Sequence, residues 1–271
     1  MKLICRGIAL LAVLFMASGV SADNIWDLQA VDANGEGTHP KVGAAIEEAN
    51  KVTIQGIALN APDEILEVSG TGGLWQVYVQ AESPDKGGIA VFSGYFIWTD
   101  DWCPYPLDIE AGDRIQVVGY VADHNGKVNL NERHSRANEF TVTTLAEDVG
   151  MPSPIVIPSI ADGISFDQTR AGGGESYQCQ WVQLNGLSIE SGTWGADQEI
   201  VVSDVSSATI TLLLSEMGDF DSYSAPTVPF SVVGIFDQED DANPYHDHYR
   251  VWIKNQEDVV PSTAISDWTD Y

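Results

Sequence analysis

The sequence predicts an all-β protein that contains one small barrel twice. Helical periodicity is nearly absent from the 271 residues. Short β-branched and aromatic runs alternate with Gly, Pro, Asn and Asp, which is the pattern of short strands joined by turns. Two similar series of runs follow one another, and the fourth run of each contains Val-Val-Gly. The one segment with helical character, VGAAIEEAN at 42–50, is short.

The first series predicts five strands. Asn125-Gly126 separates the last two and supplies the positive-φ positions that a tight hairpin needs. The predicted strands are KVTIQGIAL (51–59), LWQVYVQA (74–81), GIAVFSG (88–94), DRIQVVGYV (113–121) and KVNLNE (127–132).

The second series predicts five more strands, which are WVQLNGLSIE (181–190), EIVVSD (199–204), ATITLLLS (208–215), PFSVVGIFD (229–237) and YRVWIKN (249–255). Gly56, Gly119, Gly186 and Gly234 fall inside strands, where glycine marks a bulge or a sharp bend. Five strands with a bent first strand and a late glycine-containing hairpin predict an OB-fold, a five-stranded Greek-key barrel. We therefore expect two tandem OB-fold-like barrels.

The N-terminus predicts a signal peptide over residues 1–22. Lys2 and Arg6 flank the start of a short apolar run, and Val20-Ser21-Ala22 offers small residues for cleavage before Asp23. The run is shorter than the ~20 residues of a membrane span, so we expect a secreted or periplasmic protein without a span. The predicted organisation is barrel 1 at 23–150, a Pro-rich linker at 151–163, barrel 2 at 164–261 and a flexible tail at 262–271.

The charge is strongly negative. Twelve Lys and Arg stand against 40 Asp and Glu, for a net charge of −28. Because affinity for nucleic acid comes largely from cationic side chains that displace counterions, nucleic acid is an unlikely partner. Such a charge suits a salty or divalent-rich medium.

Several motifs in order resemble a known family. They are IWDLQAV (25–31), VTIQGIALNAP (52–62), LWQVYVQ (74–80), GGIAVFS (87–93), AGDRIQVVGYV (111–121), NGKVNL (125–130) and GESYQCQWVQLNGLSI (174–189). The chain resembles the tandem OB-like accessory modules of bacterial extracellular endonuclease/exonuclease/phosphatase-type nucleases. Because no nuclease domain follows before Tyr271, the resemblance implies a non-catalytic accessory module. Cys179 stands where the family pattern has glycine.

The sequence contains no GxSxG elbow, HExxH motif or Gly-rich phosphate loop, and we expect no enzyme activity. The predicted ligand site is aromatic and lies on the outer face of the second and third strands, where OB-folds bind oligonucleotides and oligosaccharides. The alternative is that the aromatic insertion at 94–106 folds over the barrel and buries its rings. The candidate ligand-binding residues are Tyr78, Phe92, Trp98, Trp102 and Tyr105.

Residues 237–250 (DQEDDANPYHDHYR) form a predicted acidic loop. Its carboxylates suit calcium, and His246 and His248 have the spacing of residues on one face of a strand, which suits a transition metal. The alternative is a solvated acidic hairpin tip. The candidate calcium ligands are Asp237, Glu239, Asp240 and Asp241.

Cys103 and Cys179 remain after removal of the signal peptide. In an oxidising compartment they form a disulfide, or they are two buried thiols.

The expected function is non-catalytic binding of an extracellular glycan or protein. The alternatives are a nucleic-acid-binding accessory to a separate nuclease, and a structural envelope or matrix protein bridged by calcium.

Overall fold

The computed structural model describes residues 22–65, 75–93 and 109–261, except 134 and 136. Within these ranges the chain forms two closed five-stranded barrels, which confirms the predicted fold class. The predicted signal peptide, except for Ala22, and the predicted tail lie outside the described residues. No helix in the described ranges is long and apolar enough to cross a membrane.

Barrel 1 closes in the strand order of an OB-fold. Its strands are β1 Val52–Ala58, β2 Trp75–Gln80, β3 Gly88–Ser93, β4 Arg114–His124, β5 Lys127–Asn131 and β6 Thr141–Ala146. β1 pairs antiparallel with β2 and with β4, and β3 pairs parallel with β5, so the first five strands close into a barrel. β6 extends the sheet on the far side of β4. The helix α1, Ile25–Leu28, precedes the barrel.

Barrel 2 repeats this closure. Its strands are β7 Ile155–Val156, β8 Trp181–Gly192, β9 Gln198–Ser203, β10 Thr209–Leu214, β11 Phe230–Gln238, β12 Tyr249–Ile253 and β13 Val259–Pro261. β8 pairs with β9 and β11, and β10 pairs parallel with β12. The helix α2, Ile160–Gly163, lies between β7 and β8. Each barrel thus has one extra strand that follows its fifth strand in sequence and pairs with its fourth. This strand is β6, paired with β4, in barrel 1 and β13, paired with β11, in barrel 2.

Two of the turn and bend predictions are confirmed in detail. Asn125 and Gly126 have positive φ, and His124 pairs with Lys127 across them, which makes the tight hairpin. On β8 an extra residue enters the pairing with β11 next to Gly186, whose φ is +68°. A bulge of this kind bends a strand around a small barrel.

Two predictions about organisation are corrected. The segment 42–50 contains only a 3-10 helix, Glu48–Asn50, because it has no buried residues that would repay the cost of helix nucleation. The predicted linker is largely part of barrel 2, since it contains β7 and α2, and Ile157 and Ile160 lie in the barrel-2 core.

The outer face of β2 and β3 packs directly against barrel 2. The two backbones touch at Gly88, where a Cβ atom would lie 1.9 Å from the carbonyl oxygen of Cys179. The backbone N–H of Trp181 donates to Oε1 of Gln80 at 2.8 Å. The apolar cluster at this junction contains Leu59, Ile65, Tyr78 and Ala90 from barrel 1, and Cys179, Trp181, Val233 and Ile235 from barrel 2. The barrels are therefore joined by a buried interface.

Candidate functional site

The predicted aromatic face of barrel 1 is not open at Tyr78. This ring points away from the barrel-1 core, as expected, but it is fully buried because barrel 2 covers it. The expectation that it binds a ligand from solvent is therefore wrong. The side chain of Phe92 and all of Trp98, Trp102 and Tyr105 lie outside the described residues.

Asp237 is part of a buried ion network. Its carboxylate accepts hydrogen bonds from Nζ of Lys127 at 2.9 Å and from Nε of Arg250 at 2.9 Å. Nε1 of Trp252 donates to it at 3.3 Å. Burial alone would raise the pKa of Asp237, but Lys127 and Arg250 lower it. This charge is balanced by the protein's own cations, so the predicted role of Asp237 as a calcium ligand is wrong.

The other candidate calcium ligands also have separate partners. Glu239 pairs with Nη2 of Arg250, and Asp241 accepts from Nδ2 of Asn125 at 3.1 Å. Asp240 accepts from the backbone N–H groups of Ala242, His246 and Asp247. The four carboxylates thus stabilise the β11–β12 loop and the strands beside it through separate hydrogen bonds and ion pairs. They do not converge on a single position where a calcium ion could bind all four.

The acidic loop does bring three potential metal ligands together, Asp240, Asp247 and His248, within 4.8 Å of one another. The hydrogen bond with Asp240 raises the pKa of Asp247. His246 does not join them, because its ring stacks on Phe166 and its Nε2 lies 2.8 Å from the carbonyl oxygen of Ala33. The two histidines, His246 and His248, therefore do not come together at one metal site as predicted.

Cys179 is a free thiol, fully buried at the junction of the barrels, where burial raises its pKa. Cys103 lies outside the described residues.

In barrel 2 the corresponding strand face is open. Along β9 and β10 the residues that point away from the core alternate with buried ones, and they are the polar or partly exposed Glu199, Val201, Ser203, Thr209 and Thr211, with Leu213 at the end of the row. Glu199, Leu213 and Trp252 form one row across β9, β10 and β12, and Val201, Thr211 and Arg250 form the next. We call this surface the open face.

A cavity of about 210 Å³ lies on the open face, beside the β11–β12 loop. Leu213, 5% exposed, contributes its apolar part. The lining residues are Glu199, Thr211, Leu213, Glu239, His248, Tyr249 and Arg250. The faces of strands two and three, with the flanking loops, are where OB-folds bind their ligands.

A buried carboxyl supports the cavity from the inside. Tyr249 donates its hydroxyl to Oε1 of Glu175 at 2.7 Å, and Nε2 of Gln178 donates to the same oxygen at 3.1 Å. Burial raises the pKa of Glu175 to about 7. Gln178 also donates to the carbonyl oxygen of Gly126 in barrel 1. The position of Tyr249 in the cavity is thus tied to the junction between the barrels.

The sequence analysis missed Glu199, Thr211 and Leu213 as site residues. The available signal was alternation: ATITLLLS and EIVVSD place these residues on the outer face by the same argument that placed Tyr78 on the outer face of barrel 1. The second copy lacks the outward aromatic residues that mark this face in the first copy, and its outer face is mainly polar.

No family model matches the chain, and no curated protein matches it. Among solved structures, a deletion variant of the single-stranded DNA binding protein from Thermus aquaticus is similar at 14% identity and a TM-score of 0.21, over 75% of this chain and 90% of that one. The barrel assignment rests on the strand pairing of this chain, which defines a double OB-type barrel with an open face on its second copy.

Proposed function

We propose that this is a secreted or periplasmic, non-catalytic binding protein, and that an extracellular glycan or protein binds at the open face of barrel 2. The observation that carries the proposal is the contrast between the two copies. The ligand-binding face of barrel 1 is sealed at Tyr78, whereas the equivalent face of barrel 2 is open and has a cavity.

The chemistry of the cavity supports binding through polar contacts. Thr211 offers a hydroxyl group, Glu199 a carboxylate, and Arg250 a guanidinium that Asp237 and Glu239 hold in place. Groups held in their bound position before the ligand arrives lose less entropy on binding. The non-catalytic part of the proposal and the exported location rest on the sequence: the missing catalytic motifs and the predicted signal peptide.

Nucleic acid is the less favoured ligand because of the net charge of −28. The role of accessory to a nuclease, which the family resemblance implies, predicts binding to oligonucleotides that weakens steeply with salt. A structural role bridged by calcium predicts a rise in melting temperature with calcium that a chelator reverses. The nuclease-accessory role has no support in the geometry of the open face, and a calcium role would rest on the group formed by Asp240, Asp247 and His248 beside it.

The test is to fill the cavity. Thr211→Trp places a large ring on the open face, and Val205→Trp introduces the same ring at a residue that is 96% exposed on the β9–β10 turn. Wild type and both variants are probed on arrays of glycans and of peptides. We expect Thr211→Trp to bind its ligand at least about tenfold more weakly, a loss of about 1.4 kcal/mol, and Val205→Trp to bind as wild type does. Equal binding by all three proteins, or no binding by wild type, would refute the proposal.

A further inference from the structure

We propose that the cavity on the open face receives a basic side chain, so that the ligand is a protein segment that carries lysine or arginine. This inference rests on the proposed function of the same face and names its ligand class.

The size of the cavity favours a single side chain. About 210 Å³ is below the roughly 300–1,000 Å³ of pockets that enclose a small molecule. A cavity of this size holds one group of a larger ligand whose remainder lies on the surrounding surface. A peptide segment across β9, β10 and β12 meets that description.

The arrangement of the lining fits a long cationic side chain. Leu213 on β10, although only 5% exposed, lines the cavity and is its apolar contact for the stem. Glu199 on β9 offers a carboxylate for the charged end, whereas Glu239, on the other side of the cavity, is already paired with Arg250. Lysine and arginine pack their hydrocarbon stems on apolar surface while their charged ends stay near polar groups. The cavity therefore offers a position for each part of such a side chain.

The charges of barrel 2 leave the open face negative. The cationic residues between 164 and 261 are Arg170, Arg250 and Lys254. Arg170 donates to the carbonyl oxygen of Trp26 and lies over its ring, and Nζ of Lys254 pairs with Glu64 at 3.2 Å. Arg250 is held by Asp237 and Glu239. All three thus have partners within the protein.

One carboxylate at the cavity is not balanced in the same way. Within the described ranges, no side chain forms a hydrogen bond or ion pair with the carboxylate of Glu199. Asp247, whose side chain is 75% exposed, adds negative charge to the loop beside it. A surface with this potential repels phosphate groups and attracts cations. A neutral sugar would cover Glu199 without balancing its charge, and an unpaired carboxylate is costly to desolvate.

The experiment uses octalysine as the probe, with a serine-glycine octapeptide, octaglutamate and cellohexaose as comparisons. We expect octalysine alone to bind, and its binding to weaken at least about tenfold as salt is raised from 50 to 500 mM, because screening shortens the reach of these charges. Glu199→Gln should weaken octalysine binding about tenfold. The control is Glu147→Gln, which removes one exposed charge on barrel 1 and should leave the affinity within about twofold.

The outcomes separate this inference from the proposed function. If Glu199→Gln and Glu147→Gln weaken octalysine binding equally, the attraction comes from the overall negative charge of the protein and not from the cavity, and the inference is wrong. If cellohexaose binds in a way that Thr211→Trp abolishes, while octalysine does not bind, the inference is wrong and the proposed function stands. If Thr211→Trp changes the binding of no probe and no arrayed ligand, both are wrong.

Discussion

A buried ion network of three side chains, Lys127, Asp237 and Arg250, connects the two barrels. Lys127 lies on β5 of barrel 1 and Asp237 on β11 of barrel 2, and both side chains are almost completely buried. Arg250 completes the balance of charge. A buried carboxylate is tolerated only when cations and donors compensate it, and removal of one partner leaves an uncompensated charge. The network therefore fixes how the two barrels meet.

The first prediction concerns this network. Asp237→Ala should lower the free energy of unfolding by about 3–5 kcal/mol, because Lys127 and Arg250 lose their shared buried partner. Asp241→Ala removes an exposed carboxylate with one hydrogen bond to Asn125 and should cost less than about 1 kcal/mol. Urea unfolding at pH 7 measures both. Equal losses would show that the network contributes little.

At the scale of single residues, the sequence identifies Asp237 only as one acid among several. Its cation Lys127 is 110 positions away, and no local pattern predicts that pairing. The contacts of Tyr78 are likewise only partly predictable from the sequence. Alternation correctly predicts that it leaves the barrel-1 core, but it does not predict what covers it.

The strands themselves follow the pattern of the sequence closely. All ten predicted strands form, because alternation of apolar and polar residues sets which face is buried. The three that the sequence analysis missed are β6, β7 and β13. β7 and β13 have two and three residues, too few to show a period, and β6 lies outside the closed barrel with a largely exposed face.

The second prediction compares two strand glycines. A Cβ atom at Gly234 would lie 2.4 Å from the carbonyl oxygen of Trp252, where β11 and β12 pair. Gly186 has open space around it but a φ of +68°, which costs other residues roughly 1–2 kcal/mol. Gly186→Ala should therefore cost about 1 kcal/mol, and Gly234→Ala about 3 kcal/mol, the upper range for overpacking. Thermal and urea unfolding measure the order of the two, and a larger loss for Gly186→Ala than for Gly234→Ala would contradict the close approach of β12 to Gly234.

The third prediction concerns the buried carboxyl that supports β12. Burial raises the pKa of Glu175 from 4.5 to about 7, so the folded protein holds a proton that the unfolded chain releases. The free energy of unfolding should fall as pH rises through this range, by about 2–3 kcal/mol between pH 5 and pH 8.

Glu175→Gln keeps the acceptor for Tyr249 and Gln178 and removes the titration. Its free energy of unfolding should be close to that of wild type at pH 5 and higher at pH 8. Glu147→Gln, at an exposed position, should follow wild type at both. A Glu175→Gln protein that loses the same stability as wild type between pH 5 and pH 8 would show that Glu175 is ionised throughout.

At the scale of the whole molecule, the two barrels form one body with a shared apolar cluster. The sequence predicts the two copies but treats residues 151–163 as a stiff linker between separate units. The contact itself depends on Trp181, Val233 and Ile235, which pack against the outer face of barrel 1. The alternation of apolar and polar residues in each copy does not show which outer faces will pack together. This is why the burial of Tyr78 by barrel 2 could not be predicted from the sequence.

The fourth prediction tests the seal between the barrels. Cys179 is fully buried there. In a protein with Cys5 and Cys103 replaced by serine, the Cys179 thiol should react with a maleimide only after unfolding, in step with loss of the folded signal. Trp181→Ala opens the interface and should speed the reaction at least about tenfold. Rapid labelling of the protein with an intact Trp181 would contradict a sealed interface.

The most direct test of the open face is hydrogen–deuterium exchange with and without the tightest-binding arrayed probe. We expect the probe to slow exchange in β9 and β10, residues 198–203 and 209–214, and in the adjacent loop at 239–248. Exchange in β2 and β3, residues 75–80 and 88–93, should be unchanged. Slower exchange in β2 and β3 with no change in β9 and β10 would place the ligand on barrel 1 and contradict the account.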